Sequence, residues 1–277
     1  MKHRAIVVGT AGGGSGTNAV AWAAREARLR RRPLRIVHVL EWNPAEARES
    51  AGSTYVERVW ASSTATTDAA IRHVRDLAPE VDVTADTLVG HPAARLLEIA
   101  HDAELLVLGY RGRGGFAGLR LGSAGQRVAT HASGPVAVVR GHPSPDGPVV
   151  AGVDGSAAAD HVLESAFTAA GVRAARLIVV RSVAADRDAA DGDLLHEQLA
   201  PWRDKFPDVA VETLLTHDDI APTLVSASAG AQLVMVGSRG RGAIRGALLG
   251  STGLHLLQHA ECPVLLARPC AGDRWAG

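Results

Sequence analysis

A glycine-rich segment that occurs twice constrains the fold of this chain more than any other feature. Residues 109–123 read GYRGRGGFAGLRLGS, and residues 237–251 read GSRGRGAIRGALLGS. An aliphatic run precedes each segment, and a helical pattern and a second aliphatic run follow each one. The repeat therefore spans a succession of structural elements, and it indicates that the chain contains two copies of one fold.

The two copies keep a constant spacing only in their second halves. The glycine segments start 128 residues apart, whereas the opening strands, RAIVVGTAGGG and GPVVAGVDGSA, start 143 residues apart. The first copy thus carries a surplus of fifteen residues, in the region NPAEARESAGSTYVERVW (43–60). We predict one domain over 1–141 and another over 147–277, joined by the proline- and glycine-rich stretch GHPSPDGP.

Short aliphatic runs alternate with helical patterns throughout both copies. The predicted strands are AIVVG, LRIVHVL, VTADTLV, LLVLGY and PVAVVR in the first copy, and PVVAGV, LIVVRSV, VAVETLL, LVMVGS and PVLLAR in the second. Such strands are typical of parallel sheets that helices cover on both faces. We predict an α/β protein with two tandem, doubly wound, five-stranded parallel sheets, Rossmann-like and of flavodoxin-like or related strand order. Ligands in such sheets bind at the carboxyl ends of the strands.

Composition and charge exclude several functional classes. The formal net charge is zero, so electrostatics give no reason to expect binding to nucleic acid or to an anionic membrane. No apolar stretch approaches the roughly 20 residues of a membrane span, and the N-terminal apolar run is too short for a signal peptide. Cys262 and Cys270 form neither a disulfide framework nor a metal-binding spacing. We therefore expect a cytoplasmic protein without nucleic-acid or membrane partners.

Each glycine segment lies between the fourth predicted strand and the fourth helix. Its last glycine is followed by a serine at the position where the helix begins, and free backbone N–H groups at such a position favour an anion. Arginines add positive charge beside the glycines. The residues are Gly109, Arg111, Gly112, Arg113, Gly122 and Ser123 in the first copy, and Gly237, Arg239, Gly240, Arg241, Gly250 and Ser251 in the second. The pattern predicts a phosphate-binding loop; the alternative is that the glycines only permit tight packing.

The spacing G-2x-G-9x-G(S/T) of both segments resembles the ATP-binding motif of the universal stress protein family. VVAGVDGS resembles the family's first strand with its acidic loop, and HAECPVLLAR resembles its last strand, with HASGPVAVVR as the equivalent in the first copy. The resemblance covers essentially the whole chain. It implies the tandem form of the family and an ATP-binding protein, with Mg²⁺ as an accompanying ion.

The resemblance also implies a role for each matching residue. Asp154 would contact the ribose or adenine part of ATP, and Ser182 would offer its backbone to the adenine edge. The residues implied along the phosphates in the second copy are Gly237, Arg239, Gly240, Gly250, Ser251 and Thr252. The matching positions of the first copy are Gly109, Arg111, Gly112, Gly122, Ser123 and Ala124.

The first copy departs from the family pattern in its acidic loop, where Ala11 stands at the position of Asp154. A methyl group cannot accept ribose hydroxyls, and losing a charge-assisted hydrogen bond costs on the order of 1.5–3 kcal/mol, or roughly ten- to over a hundredfold in affinity. We predict that the second copy binds ATP tightly and the first weakly or not at all. The alternative is that Thr10 or the GGGSG backbone compensates.

Three further motifs have a structural alternative beside the functional one. GGGSGTNA contains a nominal dinucleotide-binding G-x-G-x-x-A, but the second copy has no equivalent. The HDD tripeptide at 217–219 suggests a metal or catalytic site, or else an aspartate that caps the helix near Pro222. Cys262 is expected to be a packed small residue rather than a nucleophile. No Walker lysine follows either glycine segment, so we do not expect a fast NTPase.

These observations predict a protein that acts through ATP binding rather than turnover. Nucleotide occupancy would bias how the two domains, or two chains, pack, and would signal to a regulatory partner that the sequence does not identify. The strands PVAVVR and PVLLAR are expected to pair within the chain as an intramolecular pseudo-dimer, and a homodimer is a further expectation. Two alternatives remain: a slow ATP hydrolase or phosphotransferase that uses Asp154 and Mg²⁺, or a nucleotide-free interaction scaffold.

Overall fold

The structure is a computed structural model that describes residues 4–41, 52–110, 121–156, 159–184, 188–238 and 249–269. Within these ranges the backbone forms ten strands and eight helices. The chain divides into two compact units, of which the second runs from Pro135 to Pro269 and the first contains the residues up to Gly134. This division differs from the sequence repeat by one strand, because the last strand of the first copy is grouped with the second unit.

In the first unit, strands and helices alternate along the chain. The elements are β1 (Ile6–Gly9), α1 (Gly13–Arg30), β2 (Leu34–Leu40), α2 (Gly52–Leu77), β3 (Val83–Val89), α3 (Pro92–Ala100), β4 (Leu105–Gly109) and α4 (Ser123–His131). The strands are parallel, in the order β3-β2-β1-β4. The aliphatic residues of β1 and β4 are buried on both faces of the sheet, as parallel strands require.

The second unit repeats this arrangement and adds a strand. The elements are β5 (Val136–Val139), β6 (Val149–Gly152), α5 (Ala159–Arg173), β7 (Leu177–Ser182), α6 (Asp188–Lys205), β8 (Val211–Thr216), α7 (Ile220–Ser228), β9 (Leu233–Gly237), α8 (Ser251–His259) and β10 (Val264–Ala267). The order is β5-β10-β9-β6-β7-β8. All neighbours are parallel except β5 and β10, in which Val138 pairs with Val264 in antiparallel register.

The predicted fold class is confirmed, and each of the ten predicted strands is present within one or two residues of its expected limits. The last strands of the two copies pair within the chain, as predicted. The strand order 3-2-1-4 is that of dinucleotide-binding folds rather than the 2-1-3-4-5 order of flavodoxin. The winding therefore reverses between β1 and β4, and the carboxyl ends of these two strands mark the expected ligand position.

The stretch GHPSPDGP, predicted as a linker, packs against the second unit. The N–H of His142 donates to the carbonyl of Glu261 at 2.8 Å, and the N–H of Ser144 donates to the carbonyl of Ala231 at 3.1 Å. Gly141 has φ 58°, and a Cβ atom there would lie only 1.8 Å from the Glu261 oxygen. The stretch is thus a fixed turn, and its first residue must be glycine.

Helix α1 begins at Gly13, five residues before Asn18, where the helical pattern NAVAWAAREARLRRR starts in the sequence. Gly12 and Gly13 have φ values of 76° and 73°, which glycine adopts at little cost. The glycine run after β1 therefore makes the turn into α1, which is a structural explanation of the nominal dinucleotide motif. Among the helices of the described ranges, none is both long enough and apolar enough to cross a membrane.

Candidate functional site

Both units close the ends of their glycine segment with the same hydrogen bond. In the first unit the N–H of Gly122 donates to the carbonyl of Tyr110 at 3.1 Å. In the second the N–H of Gly250 donates to the carbonyl of Ser238 at 2.8 Å. This contact brings the start of the fourth helix of each copy back to the end of its fourth strand. The two loops therefore share one anchoring geometry at the carboxyl edge of the sheet.

The helices that follow these loops begin with groups suited to an anion. Gly122 and Gly250 are the N-cap residues, and the first intrahelical bonds are donated by Gln126 and Leu254. The preceding N–H groups lie at the positive end of the helix dipole and point out of the helix. They belong to Ser123, Ala124 and Gly125 in α4 and to Ser251, Thr252 and Gly253 in α8. The side chains of Ser123 and Ser251 are exposed.

A cavity of about 720 Å³ opens at this edge of the first unit. It brings together four of the predicted site residues, Gly109, Gly122, Ser123 and Ala124, with the end of β1 and the end of β2. Its volume lies within the range of small-molecule sites, about 300–1,000 Å³. The lining is mainly apolar, and its polar side chains come from the strand ends, from the start of α4 and from α2.

The structure describes ten of the fourteen predicted site residues. Arg111, Gly112, Arg239 and Gly240 lie outside the described residues, as do Arg113 and Arg241. In the second unit, Gly237 ends β9 and Gly250 precedes α8, while Asp154 follows β6 and Ser182 ends β7. The hydroxyl of Ser182 donates to the carbonyl of Asp218 at 3.1 Å.

The acidic-loop positions of the two copies are structurally equivalent. The N–H of Thr10 donates to the carbonyl of Val37 at 2.9 Å, and the N–H of Val153 donates to that of Val180 at 3.0 Å. Ala11 therefore does occupy the place of Asp154. The Oδ1 atom of Asp154 accepts hydrogen bonds from the N–H and the hydroxyl of Ser156, at 3.1 and 2.5 Å. In the first copy the hydroxyl of Thr10 instead accepts from the N–H of Gly12 at 3.1 Å.

The next position along the second strand holds a different basic side chain in each copy. His38 on β2 is 4% exposed, and its Nδ1 lies 2.8 Å from the carbonyl oxygen of Thr10. Arg181 occupies the same position on β7 and is 3% exposed, with its Nη2 at 3.5 Å from Oδ1 of Asp191 on α6. A buried guanidinium is costly unless a carboxylate lies close to it, which explains the acidic residue on α6. His38 lines the cavity of the first unit, and the sequence analysis did not assign it.

The start of α2 forms a cavity wall that the sequence analysis also missed. Tyr55, Arg58, Val59 and Ser62 all line the cavity. Helices α2 and α6 end 128 residues apart, at Leu77 and Lys205, and within the described residues α6 begins at Asp188, which corresponds to Trp60. The first two turns of α2, residues 52–59, lie in the region that the sequence assigns to the surplus of the first copy, and they have no counterpart among the described residues of α6. The length difference between the copies was the available signal, but it did not show where those residues would fold.

The remaining motifs have structural roles. Asp219 caps α7, since its side chain accepts a hydrogen bond from the N–H of Ala221 at 3.3 Å, and this confirms the capping interpretation. Cys262 is fully buried, and burial raises the pKa of its thiol to about 12, so it is not a nucleophile at neutral pH. Across the described ranges, no group of three or more His, Cys, Asp and Glu side chains could hold a metal ion.

Comparisons with known proteins agree with this architecture. The model of the Universal stress protein family matches the sequence twice, over residues 2–140 and 147–268. Universal stress protein Rv2005c of Mycobacterium tuberculosis is 34% identical over 292 residues, covering 96% of this chain and 98% of the relative. Universal stress protein Rv1996 of the same organism is 30% identical over 299 residues, covering 95% of this chain and 94% of that protein.

Solved structures share the fold at lower sequence identity. A universal stress protein from Archaeoglobus fulgidus has a TM-score of 0.77 at 16% identity, with 95% of this chain and 98% of that chain covered. A putative universal stress protein from Pseudomonas aeruginosa has a TM-score of 0.61 at 15% identity, with 96% and 93% covered. These likenesses concern the fold of the whole tandem chain.

Proposed function

This chain belongs to the universal stress protein family, and on that premise we propose that it is a cytoplasmic stress-response protein that binds ATP and acts through binding rather than turnover. The observation that carries the proposal is the cavity of the first unit, in which the start of α4 faces a space large enough for a nucleotide. The equivalent loop closure at Gly250 extends the proposal to the second copy.

The phosphate chain is assigned to the start of α4. The cavity is lined there by Ser123, Ala124 and Gly125, whose N–H groups precede the first intrahelical hydrogen bond. These donors and the helix dipole favour negative charge. In the second copy the same role falls to Gly250, Ser251 and Thr252. The glycines and arginines of the two loops that lie outside the described residues would complete the phosphate contacts.

The nucleoside is assigned to the neighbouring strand ends. Strand β1 lies between β4 and β2, so the end of β2 is two strand spacings, about 10 Å, from the end of β4. A ribose placed over the end of β1 would bridge this distance and bring the base to Val39 and Leu40, which line the cavity. In the second copy the ribose would meet Asp154, and the base would meet the backbone of Ser182.

The proposal needs no protein-bound metal. Mg²⁺ would enter with the phosphates of ATP. Occupancy of the sites would be read by a regulatory protein, and the two copies, or two chains as a homodimer, would transmit it through their packing. The domains proposed for this role are residues 1–141 and 147–277.

Two measurements test ATP binding directly. Nucleotide released from freshly purified, heat-denatured protein should be identified as an adenine nucleotide, and calorimetry should show saturable ATP binding.

The matched control is the double variant Ser123→Glu, Ser251→Glu. Both serines are exposed first residues of helices, where a carboxylate is favourable for the helix but repels a phosphate. We expect the double variant to fold normally and to bind ATP at least a hundredfold more weakly, since repulsion at about 4 Å is worth roughly 4 kcal/mol near a protein surface. Protein that carries no nucleotide and shows no saturable binding would remove the proposal.

A further inference from the structure

The first two turns of α2, residues 52–59, distinguish the cavity of the first unit from the corresponding edge of the second. We call these residues the α2 extension. They arise from the fifteen-residue surplus of the first copy, and in the described part of the second unit α6 starts only at Asp188. Building on the proposed function, we propose that the α2 extension is a nucleobase-recognition wall, in which Arg58 and Tyr55 hold the base of a nucleotide bound to the first copy.

The position of the α2 extension places it at the end of the cavity that is remote from the phosphates. Helix α2 packs against β2, β3 and α1, whereas the start of α4 is held at the end of β4 by the bond from Gly122 to Tyr110. Strand β1 separates β4 from β2. A ligand whose phosphates lie at α4 therefore meets the α2 extension with its opposite end.

The side chains of the α2 extension have the chemistry that a base requires. Tyr55 is 3% exposed, so packing fixes its ring. The Cζ atom of Arg58 lies 5.7 Å from the centre of that ring, within the range of a cation–π contact. This contact restrains a planar guanidinium at the cavity wall. A guanidinium can stack on a planar heterocycle and donate hydrogen bonds to its edge.

The surroundings of Arg58 favour a base over a phosphate. Glu41 lines the cavity at the end of β2, and within the α2 extension Glu57 adjoins Arg58, so carboxylates offset the positive charge of Arg58. The Nδ1 atom of the buried His38 is directed to the backbone carbonyl of Thr10. The strongest anion-binding feature of the cavity, the start of α4, lies about two strand spacings away. The α2 wall thus offers planar stacking and hydrogen bonds without a net charge that would attract a polyanion.

The test isolates the first copy and separates base from phosphate. In a Ser251→Glu background, which disables the second copy, calorimetry measures binding of ATP and of inorganic tripolyphosphate, a polyanion without a base. Arg58→Ala should weaken ATP binding about tenfold, as expected for the loss of one stacking contact, and should change tripolyphosphate binding less than twofold. Arg58→Lys keeps the charge but not the planar group, so it should resemble Arg58→Ala.

The control variant is Arg72→Ala on the same helix. Arg72 is also exposed, does not line the cavity, and lies about 21 Å further along α2, so both affinities should stay unchanged. Equal losses of ATP and tripolyphosphate in Arg58→Ala, or no loss of either, would overturn the inference. The inference would also fail if wild-type protein binds ATP but Ser251→Glu binds none, because the first copy then binds no nucleotide. In that case the proposed function would still hold for the second copy. If the wild type binds no ATP, the proposed function fails and the inference fails with it.

Discussion

The two copies share one end of their candidate sites and differ at the other. At the phosphate end, the bonds from Gly122 to Tyr110 and from Gly250 to Ser238 place a helix start in the same way. At the nucleoside end, Ala11 faces the cavity of the first copy, whereas Asp154 stands at the same place in the second. The phosphate end depends on backbone geometry, which the duplication preserved. The nucleoside end depends on side chains, and these diverged.

A second difference lies near the amino ends of the strands, away from the candidate sites. In the first copy Arg30 contacts Glu26, which is 1% exposed, at 2.9 Å and also approaches Glu104. In the second copy Ala169 and Gln232 replace both acids. There Arg173, the counterpart of Arg30, donates to the carbonyl of Ala169 at 3.0 Å. The first helix thus carries an ion pair with a buried glutamate in one copy, whereas in the other the equivalent arginine donates a hydrogen bond to the backbone.

The largest expected effect comes from breaking the network of the first copy. Arg30→Met removes the cation that contacts the buried carboxylate of Glu26 at 2.9 Å and should lower the free energy of unfolding by about 3–5 kcal/mol, the cost typical of a broken buried pair. Urea denaturation followed by circular dichroism measures this loss. The double variant Glu26→Ala, Arg30→Met imitates the alanine of the second copy and should recover most of it. If the double variant is no more stable than Arg30→Met, the loss does not come from leaving the carboxylate of Glu26 unpaired, and the ion pair is not what distinguishes the two copies in energy.

The next largest effect is expected in the acidic loop, where two substitutions exchange the residues of the two copies. Asp154→Ala should weaken ATP binding by the second copy roughly ten- to a hundredfold, because a charge-assisted contact to the ribose is lost. Ala11→Asp should strengthen binding by the first copy, by about tenfold at most. Calorimetry in the Ser123→Glu and Ser251→Glu backgrounds assigns each change to one copy.

A different result would support the alternative for the first copy. Thr10 already accepts a hydrogen bond from Gly12 in place of the acidic side chain. If Ala11→Asp leaves the affinity unchanged while Asp154→Ala reduces it, the first copy obtains its nucleoside contacts from Thr10, from the GGGSG backbone or from the α2 extension. If both substitutions are silent, the acidic loop has no part in ligand binding.

Local patterns were sufficient to predict the strands and the site geometry that depends on the backbone. The aliphatic run of β4 and the glycine–serine pair at Gly122 each determine their own structure, so the expected strand–loop–helix order is found. The start of α1 was missed because a glycine run is typical of a loop, and only the φ values of Gly12 and Gly13 show the turn that it makes.

The cavity wall formed by the start of α2 could not be predicted from the sequence, for another reason. Tyr55 and Arg58 lie in the surplus of the first copy, so the second copy offered no template for them. Their contribution depends on how α2 packs against β2 and β3, which is a long-range property. The same holds for His38, whose aliphatic strand neighbours show that it is in a sheet but not that it faces a cavity.

The smallest expected effect belongs to Arg173, whose charged form is disfavoured by burial, whereas a carboxylate stabilises the charge of Arg30. Burial lowers the pKa of Arg173 to about 10, which means that the folded state disfavours the charged form. Below pH 10 this cost is fully present. As the pH rises above 10, the unfolded chain binds more protons than the folded one, and the cost is progressively relieved.

Arg173→Met should therefore change stability by less than about 1 kcal/mol at pH 7, since the lost hydrogen bond is offset by removal of a buried charge. Urea denaturation at pH 7 and pH 10.5 checks this. The urea midpoint of the wild type should rise relative to that of the variant at the higher pH, because only the wild type has the desolvated guanidinium. Arg176→Met, in an exposed arginine of the same unit, is the control and should show no such shift. A loss of unfolding free energy at pH 7 as large as that of Arg30→Met would contradict this prediction. The guanidinium of Arg173 would then stabilise its unit as strongly as the ion pair of Arg30 does, although its contacts differ.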